Sequence, residues 1–299
     1  MRVFRSRSPL LRRLFLSISA FAVAVAAIAP LQAEMRPVHK SLKMNMVRIE
    51  GSLTDKFRVA RDAGFKGIEL DSPGLNVEEV KQAIAETGLP VDGTICRTHW
   101  QIRHTDPDPE VRAQALADLQ NALRETHAIG GNTVLLVPGH GRDGTSEEVW
   151  DRAFKNINQA VPLAAELGVV IAIENVWNHF LYEHDGPADQ SADEFVEFVD
   201  AFRSPWVGMQ FDIGNHQKYG DPAEWIRTLG PRIVKLDVKD WGRESGWSPI
   251  GQGDVDWGNV REALAEIGFT GWAAAEVAGG DGDHLKMVSE QMDEAFGLR

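Results

Sequence analysis

One cysteine, Cys96, in 299 residues leaves no internal disulfide and no zinc centre built from several thiolates. Beyond residue 33 no apolar run is long enough to span a bilayer. Basic residues are scarce beside acids, 31 Lys and Arg against 44 Asp and Glu, for a formal charge of −13. A surface that negative disfavours nucleic acid and anionic lipid as partners. The Arg and Lys residues are also not gathered densely enough to mark a phosphate pocket. No Gly-x-Gly-x-x-Gly fingerprint follows the first predicted strand, which weighs against a dinucleotide-binding open sheet. What is present is ordinary for a globular chain: 43% hydrophobic and 25% charged, in a length that holds one large domain or two small ones.

Residues 1–33 read as an export signal and stand apart from the fold. Arg2, Arg5, Arg7, Arg12 and Arg13 form a basic start, Leu14 to Ile28 is a short apolar run, and Leu31-Gln32-Ala33 offers a cleavage site. Arg12-Arg13-Leu14-Phe15-Leu16 has the form of a twin-arginine signal, which implies export to a periplasmic or extracellular location. An uncleaved anchor is the competing reading, although the run is short for a span. Removing these five arginines takes the formal charge from −13 to −18.

From residue 34 to 299 the pattern is strand then helix, repeated eight times. Predicted strands cover 42–47, 67–70, 91–95, 133–137, 169–174, 207–212, 233–238 and 272–276. Predicted helices cover 53–63, 77–87, 109–129, 146–167, 192–202, 222–229, 257–267 and 283–296. Val149, Trp150, Phe154, Ile157, Val161, Ala164 and Leu167 show the helical apolar stripe. Glycines stop helices at Gly64, Gly88, Gly130, Gly168, Gly230 and Gly268. Eight such units in about 265 residues suit a single-domain α/β protein, a (β/α)8 TIM barrel. A doubly wound open sheet is the runner-up.

Four consecutive strands end on acids: Glu174, Asp212, Asp237 and Glu276. Active sites of such barrels lie at the carboxyl ends of the strands. Acids gathered there repel one another unless a cation joins them, so the four are candidate metal ligands. An oxygen-only set favours a hard cation such as Mn2+ or Mg2+. A cation there would polarise the ketone of a keto-sugar and stabilise its enediolate. Glu174 and Glu276, the longer pair, are candidate catalytic acid and base on opposite faces of the carbon. Alternation along the strands turns Gln210 inward with Asp212, and Lys235 and Lys239 inward with Asp237. Asp237 is equally well read as the partner of one of those lysines in a plain ion pair.

Glu174-Asn175-Val176-Trp177-Asn178, Phe211-Asp212-Ile213-Gly214-Asn215, Lys235-Leu236-Asp237-Val238-Lys239-Asp240 and Pro249–Trp257 resemble motifs of the sugar phosphate isomerase/epimerase family. This is the xylose isomerase-like TIM barrel group, which includes ketose 3-epimerases. His99-Trp100 and Asp106–Arg112 fit the same pattern, and the resemblance covers nearly all of the chain after the signal. It implies that Glu174, Asp212 and Glu276 bind metal and that the two glutamates are the acid/base pair. Two positions depart from it. Asp237 stands where the family usually has the histidine of a His-x-Lys-Asp motif. Asn215, followed by His216, stands where many relatives have histidine.

His99, His140, Asn178, His216, Lys239 and Trp177 are the candidate substrate contacts, each at or just beyond a strand end. For the histidines, a satisfied place in a loop is the competing reading. Trp177, Phe180 and Trp241 form either an apolar wall for a sugar or ordinary loop packing. Asp71, Asp185 and Asp221 read as solvated acids. The function expected is a metal-dependent isomerase or epimerase acting on a keto-sugar or related polyol. The competitors are a lyase or dehydratase acting on a 3-keto sugar or glycoside at the same site, and a sugar-binding barrel without turnover. The expected partner is a small carbohydrate, with no nucleic acid and, after signal cleavage, no membrane. A homo-oligomer is compatible with the sequence.

Overall fold

The computed structural model describes residues 38–184 and 186–298. The export signal expected at residues 1–33 therefore lies outside the described residues, as does Asp185. Seven strands come first: β1 (Val38–Lys43), β2 (Gly67–Ser72), β3 (Val91–Cys96), β4 (Thr133–Leu136), β5 (Val170–Glu174), β6 (Val207–Asp212) and β7 (Ile233–Val238). A hairpin, β8 (Asp240–Gly242) and β9 (Gly246–Ser248), precedes β10 (Gly271–Ala275). All but the hairpin pair in parallel and close a barrel in the order β1-β10-β7-β6-β5-β4-β3-β2. This is the eight-stranded barrel that the alternation of short strands and helices implies.

Its outer layer is α1 (Leu53–Asp62), α2 (Val77–Thr87), α3 (Pro109–Ala128), α4 (Ser146–Ile157), α5 (Val161–Leu167), α6 (Asp193–Ala201), α8 (Pro222–Leu229), α9 (Trp257–Glu266) and α10 (Gly282–Phe296). The short α7 (Ile213–Gln217) directly follows β6 at the mouth. Capping boxes at Ser52/Asp55 and Thr145/Glu148 start α1 and α4, each satisfying backbone N–H groups that the first helical turn leaves open. The single helix expected over 146–167 is two helices joined by a 3-10 turn at Asn158–Ala160. Pro162 explains the break: it has no N–H to donate and fits only the first turn of a new helix. No helix of the described residues is long and apolar enough to cross a membrane.

The first strand begins four residues before the expected one, at Val38 rather than Leu42. This shift sends Ser41 and Lys43 into the barrel, where Ser41 Oγ meets Asp92 and Lys43 Nζ meets Asp237. Lys40, on the other face, reaches Ser289 and Asp293 of α10. The interior is thus polar well below the mouth. Lys235 Nζ lies 2.5 Å from Glu69 and 2.7 Å from Asp92, all three with no exposed side-chain surface. A Cβ on Gly93 would come within 3.3 Å of Lys235 Nζ and collide with Thr133, so glycine makes room for the lysine. Gln210 Nε2 bridges Glu69 and Asp237, linking this buried layer to the mouth.

His104, in the loop after β3, ties that loop to its neighbours. Its N–H donates to the Pro138 carbonyl, and its Nδ1 pairs with Asn156 of α4 at 2.7 Å. Burial pushes its pKa down to about 3, so the folded protein holds it neutral. Unfolding frees it to take a proton below about pH 6.5. The native state therefore loses stability as the pH falls from 6.5 towards 3. His104→Gln is expected to reduce the pH slope of the urea-unfolding free energy in that range by about 1.4 kcal/mol per pH unit. A slope equal to that of the parent protein would show that His104 is not held neutral.

Candidate active site and metal centre

Four neighbouring strands, β10, β7, β6 and β5, carry Glu276, Asp237, Asp212 and Glu174 to the mouth. Glu276 lies one residue past β10, and its N–H donates to the Val238 carbonyl, so it continues the strand direction. One oxygen from each of the four acids lies within 4.8 Å of the others. Acids separated by as many as 102 positions in sequence, counted from Glu174 to Glu276, are thus brought together.

Their immediate partners differ. Asp237 is fully engaged, Oδ2 by Lys43 at 3.0 Å and Oδ1 by Gln210 at 2.9 Å. Its ion-pair partner is Lys43, and not the Lys235 or Lys239 expected from strand alternation, because β1 delivers Lys43 into the mouth while Lys235 is spent on Glu69 and Asp92. Asp212 Oδ1 accepts from the Asn215 N–H at 2.7 Å, and its Oδ2 lies 2.8 Å from Lys239 Nζ. Glu276 Oε2 lies 2.7 Å from Lys43 and 3.2 Å from Lys239. Glu174 makes no ion pair among the described residues; its nearest donor is Asn215 Nδ2 at 3.5 Å.

The electrostatics follow from these contacts. Burial pushes Glu174 well above the usual carboxylate range, against only a partial pull from Lys43. Burial raises Asp237 to about 7 despite Lys43, and raises Asp212 despite Lys239. Burial also opposes ionisation of Glu276, but Lys43 and Lys239 together outweigh it and bring this group down to about 2. Lys43 and Lys239 stay charged, since the carboxylates around them more than offset their burial.

The donor set fits a divalent cation. It is made of carboxylate oxygens, which suits a hard ion. Asp212 Oδ2 and Glu276 Oε2 are buried and lack hydrogen-bonding geometry to the ammoniums they face. With a divalent ion present to favour ionisation of all four, the carboxylates set against the ammoniums of Lys43 and Lys239 would leave two negative charges, the charge of that ion.

A cavity of about 370 Å3 opens above the acids, and Glu174, Glu276, Lys239, His99 and Trp177 lie in its wall. His99 Nδ1 accepts from the Val137 N–H at 3.1 Å, which leaves the ring proton on Nε2. Burial holds that ring neutral, with a pKa down to about 3. Trp177 Nε1 donates to the Asn215 carbonyl, fixing the indole in the wall.

The other three candidate contacts lie off this cavity. Asn178 is buried and spends its amide on the Gly139 carbonyl and the Phe180 N–H, bracing the loop after β5. His216 is sealed between Tyr182, which meets its Nδ1 at 3.1 Å, and Trp225, whose ring centre is 3.6 Å away. His140 caps a short turn on the rim and packs on His179. Phe180 packs on Phe198 in the helix layer, and Trp241 meets the edge of Trp177. Asp71 is exposed but stands in the cavity wall beside Arg97, and Asp221 caps α8.

Lys43, Glu69, Asp92, Asn45, Arg97, Trp100 and Asn215 complete the site and its support. A signal for Glu69 and Asp92 was present, since each puts a charge inside an otherwise apolar strand. Lys43 is likewise a charge inside the expected strand 42–47, but nothing local points to its partners Asp237, Glu69 and Glu276.

A closed parallel barrel with a cluster of four carboxylates at its carboxyl mouth, a set that could hold a metal ion, defines the class: a (β/α)8 protein with an acidic oxygen-donor centre. The xylose isomerase-like TIM barrel family model matches residues 57–295, and the chain belongs to that family. An uncharacterized protein of Methanocaldococcus jannaschii is 27% identical over 173 residues, and the match spans 56% of this chain and 57% of that one. L-ribulose-5-phosphate 3-epimerase UlaE of Salmonella paratyphi A is 23% identical over 235 residues, or 73% and 79% of the two chains. Among solved structures, a D-tagatose 3-epimerase-like protein superposes with a TM-score of 0.72 at 18% identity, covering 87% of this chain and 98% of that one. The IOLI protein, solved with a bound zinc atom, gives 0.72 at 13% identity, covering 87% and 99%.

Proposed function

We propose that the chain is a metal-dependent epimerase or isomerase that moves the proton on the carbon beside the ketone of a keto-sugar, through an enediolate. One observation carries this reading. Glu174 and Glu276 stand at the two ends of an arc of four adjacent strands, with Asp212 and Asp237 between them. An arc of four strands in a barrel of eight puts its ends on nearly facing walls. Inversion at a carbon needs one group to take the proton and another to return it from the opposite side, and two glutamates so placed meet that need. A hard divalent cation, Mn2+ or Mg2+, would be held by the four carboxylates and would supply positive charge to the substrate oxygens. Lys239 and the Nε2–H of His99 are donors in the cavity wall, and Trp177 gives the wall an apolar surface.

The named activities of the relatives support the same class of reaction. Two features favour a substrate without phosphate. Both cavity lysines are committed to acids, and Arg97 faces Asp71. The basic and then apolar N-terminal segment supports export, and sugar phosphates are largely intracellular compounds.

The test is hydrogen exchange. Mn2+-loaded protein in heavy water is expected to place deuterium on the carbon beside the ketone in at least one member of a panel of free ketoses and 3-keto glycosides, read by mass spectrometry. No exchange with any member would remove the reading. An enone product absorbing in the ultraviolet would move it to elimination at the same site.

A further inference from the structure

A second cavity, of about 620 Å3, adjoins the first and shares Asn45, Lys239 and Glu276 with it. Each volume alone falls within the range of small-molecule sites. Their common wall contains a carboxylate of the acidic centre, so a molecule lying across both would have one part at the reacting groups and another part beyond them.

The lining of the second cavity pairs apolar surface with free polar heads. Trp247, on β9, is 52% exposed, and one face of its indole is covered by Trp177, with ring centres 4.9 Å apart and planes 20° apart. Lys239 Nζ lies 5.6 Å from the Trp247 ring centre. Met287 of α10, 45% exposed, adds a second apolar side chain to the lining. Arg48 and Gln291 also line it, and among the described residues no hydrogen bond or ion pair engages either side chain. A pyranose ring has this same division, an apolar C–H face and a hydroxyl edge. Exposed large apolar side chains beside uncommitted donors in a concave wall are uncommon unless something covers them.

We infer that the second cavity is a subsite for a second sugar ring, so that the substrate is a glycoside or disaccharide of the keto-sugar rather than a free monosaccharide. This rests on the proposed function for the role of the first cavity. The keto ring occupies the acidic cavity, the second ring packs against Trp247 and Met287, and Arg48 and Gln291 donate to its hydroxyls.

The test measures affinity and needs no turnover. Calorimetric titration of the Mn2+-loaded full-length protein would use trehalose, cellobiose, sucrose and lactose, with glucose, fructose and galactose as their component sugars. At least one disaccharide is expected to bind about tenfold or more tightly than its better component. Trp247→Ala and Met287→Lys, two exposed positions on separate elements, are each expected to bring that ratio close to one. Equal affinity for disaccharides and monosaccharides in the parent protein would overturn the subsite, as would a ratio unchanged in both variants. The two proposals fail separately. Exchange into a ketose without disaccharide preference keeps the reaction and loses the subsite. A Trp247-dependent preference without exchange keeps the subsite and loses the reaction.

Discussion

Glu174→Gln and Glu276→Gln will each lower the rate of deuterium exchange by about a hundred- to ten-thousand-fold, the range supplied by a positioned acid or base. Glutamine keeps the size of the side chain and removes its capacity to carry the proton, so the loss will be in kcat more than in KM. The two variants will differ in stability, and that difference tests the arrangement of charges. Glu174 is buried with, among the described residues, no ion pair and one distant amide donor, so a neutral amide there removes a desolvation cost and leaves stability in EDTA unchanged or raised. Glu276 faces both Lys43 and Lys239, whose side chains are 4% and 14% exposed. Removing its charge takes a shared partner from two buried ammoniums, but Lys43 keeps Asp237, Lys239 keeps Asp212 and Glu276 is itself 32% exposed, so the expected cost is about 1–3 kcal/mol. Full exchange activity in either variant would end the catalytic assignment, and equal stability in the two would contradict the charge pattern.

The sequence shows the outline of this site and hides its support. Glu174, Asp212, Asp237 and Glu276 are legible because an acid at the end of an apolar strand is conspicuous, and because parallel strands in a barrel all end on one rim. The barrel itself is legible from the alternation of strand and helix and from the glycine stops. β1 is not. Val38-His39-Lys40-Ser41-Leu42-Lys43 reads as polar, while Leu42–Val47 contains Leu, two Met and Val and reads as the better strand. The true strand is viable only because Lys40 finds Ser289 and Asp293, and Lys43 finds Asp237, Glu69 and Glu276, all at least 26 residues away. Pairing at that range has no local signature. The same limit separates His99 from His140 and His216. All three follow or flank strand ends, but only the tertiary packing of Tyr182 and Trp225 decides that His216 is sealed away. The β8–β9 hairpin with Trp247 lies between the expected strand 233–238 and the expected helix 257–267, where no element is expected, since its strands are three residues each and show no alternation to detect.

Lys43→Met will reveal how the barrel balances its acids. The ammonium lies 2.7 Å from Glu276, 3.0 Å from Asp237 and 3.7 Å from Glu69. Asp237 and Glu69 have no exposed side-chain surface, and water cannot take over the solvation that Lys43 gives them. Breaking a buried pair by removing one partner is expected to cost about 3–5 kcal/mol, a fall large enough to lower Tm by several degrees in EDTA. Mn2+ brings positive charge to the same carboxylates, so the rise in Tm on adding it will be larger in Lys43→Met than in the parent protein. A second substitution should restore much of the loss. Asp237→His removes the anion that Lys43 balances and places a neutral ligand where the family usually carries one. In a double-mutant cycle the pair is therefore expected to show a coupling of about 0.5–3 kcal/mol, with the double variant more stable than Lys43→Met alone. If Lys43→Met is as stable as the parent in EDTA, the ammonium is not balancing these acids. If the two substitutions are simply additive, Lys43 supports Glu276 and Glu69 and owes nothing to the aspartate at position 237.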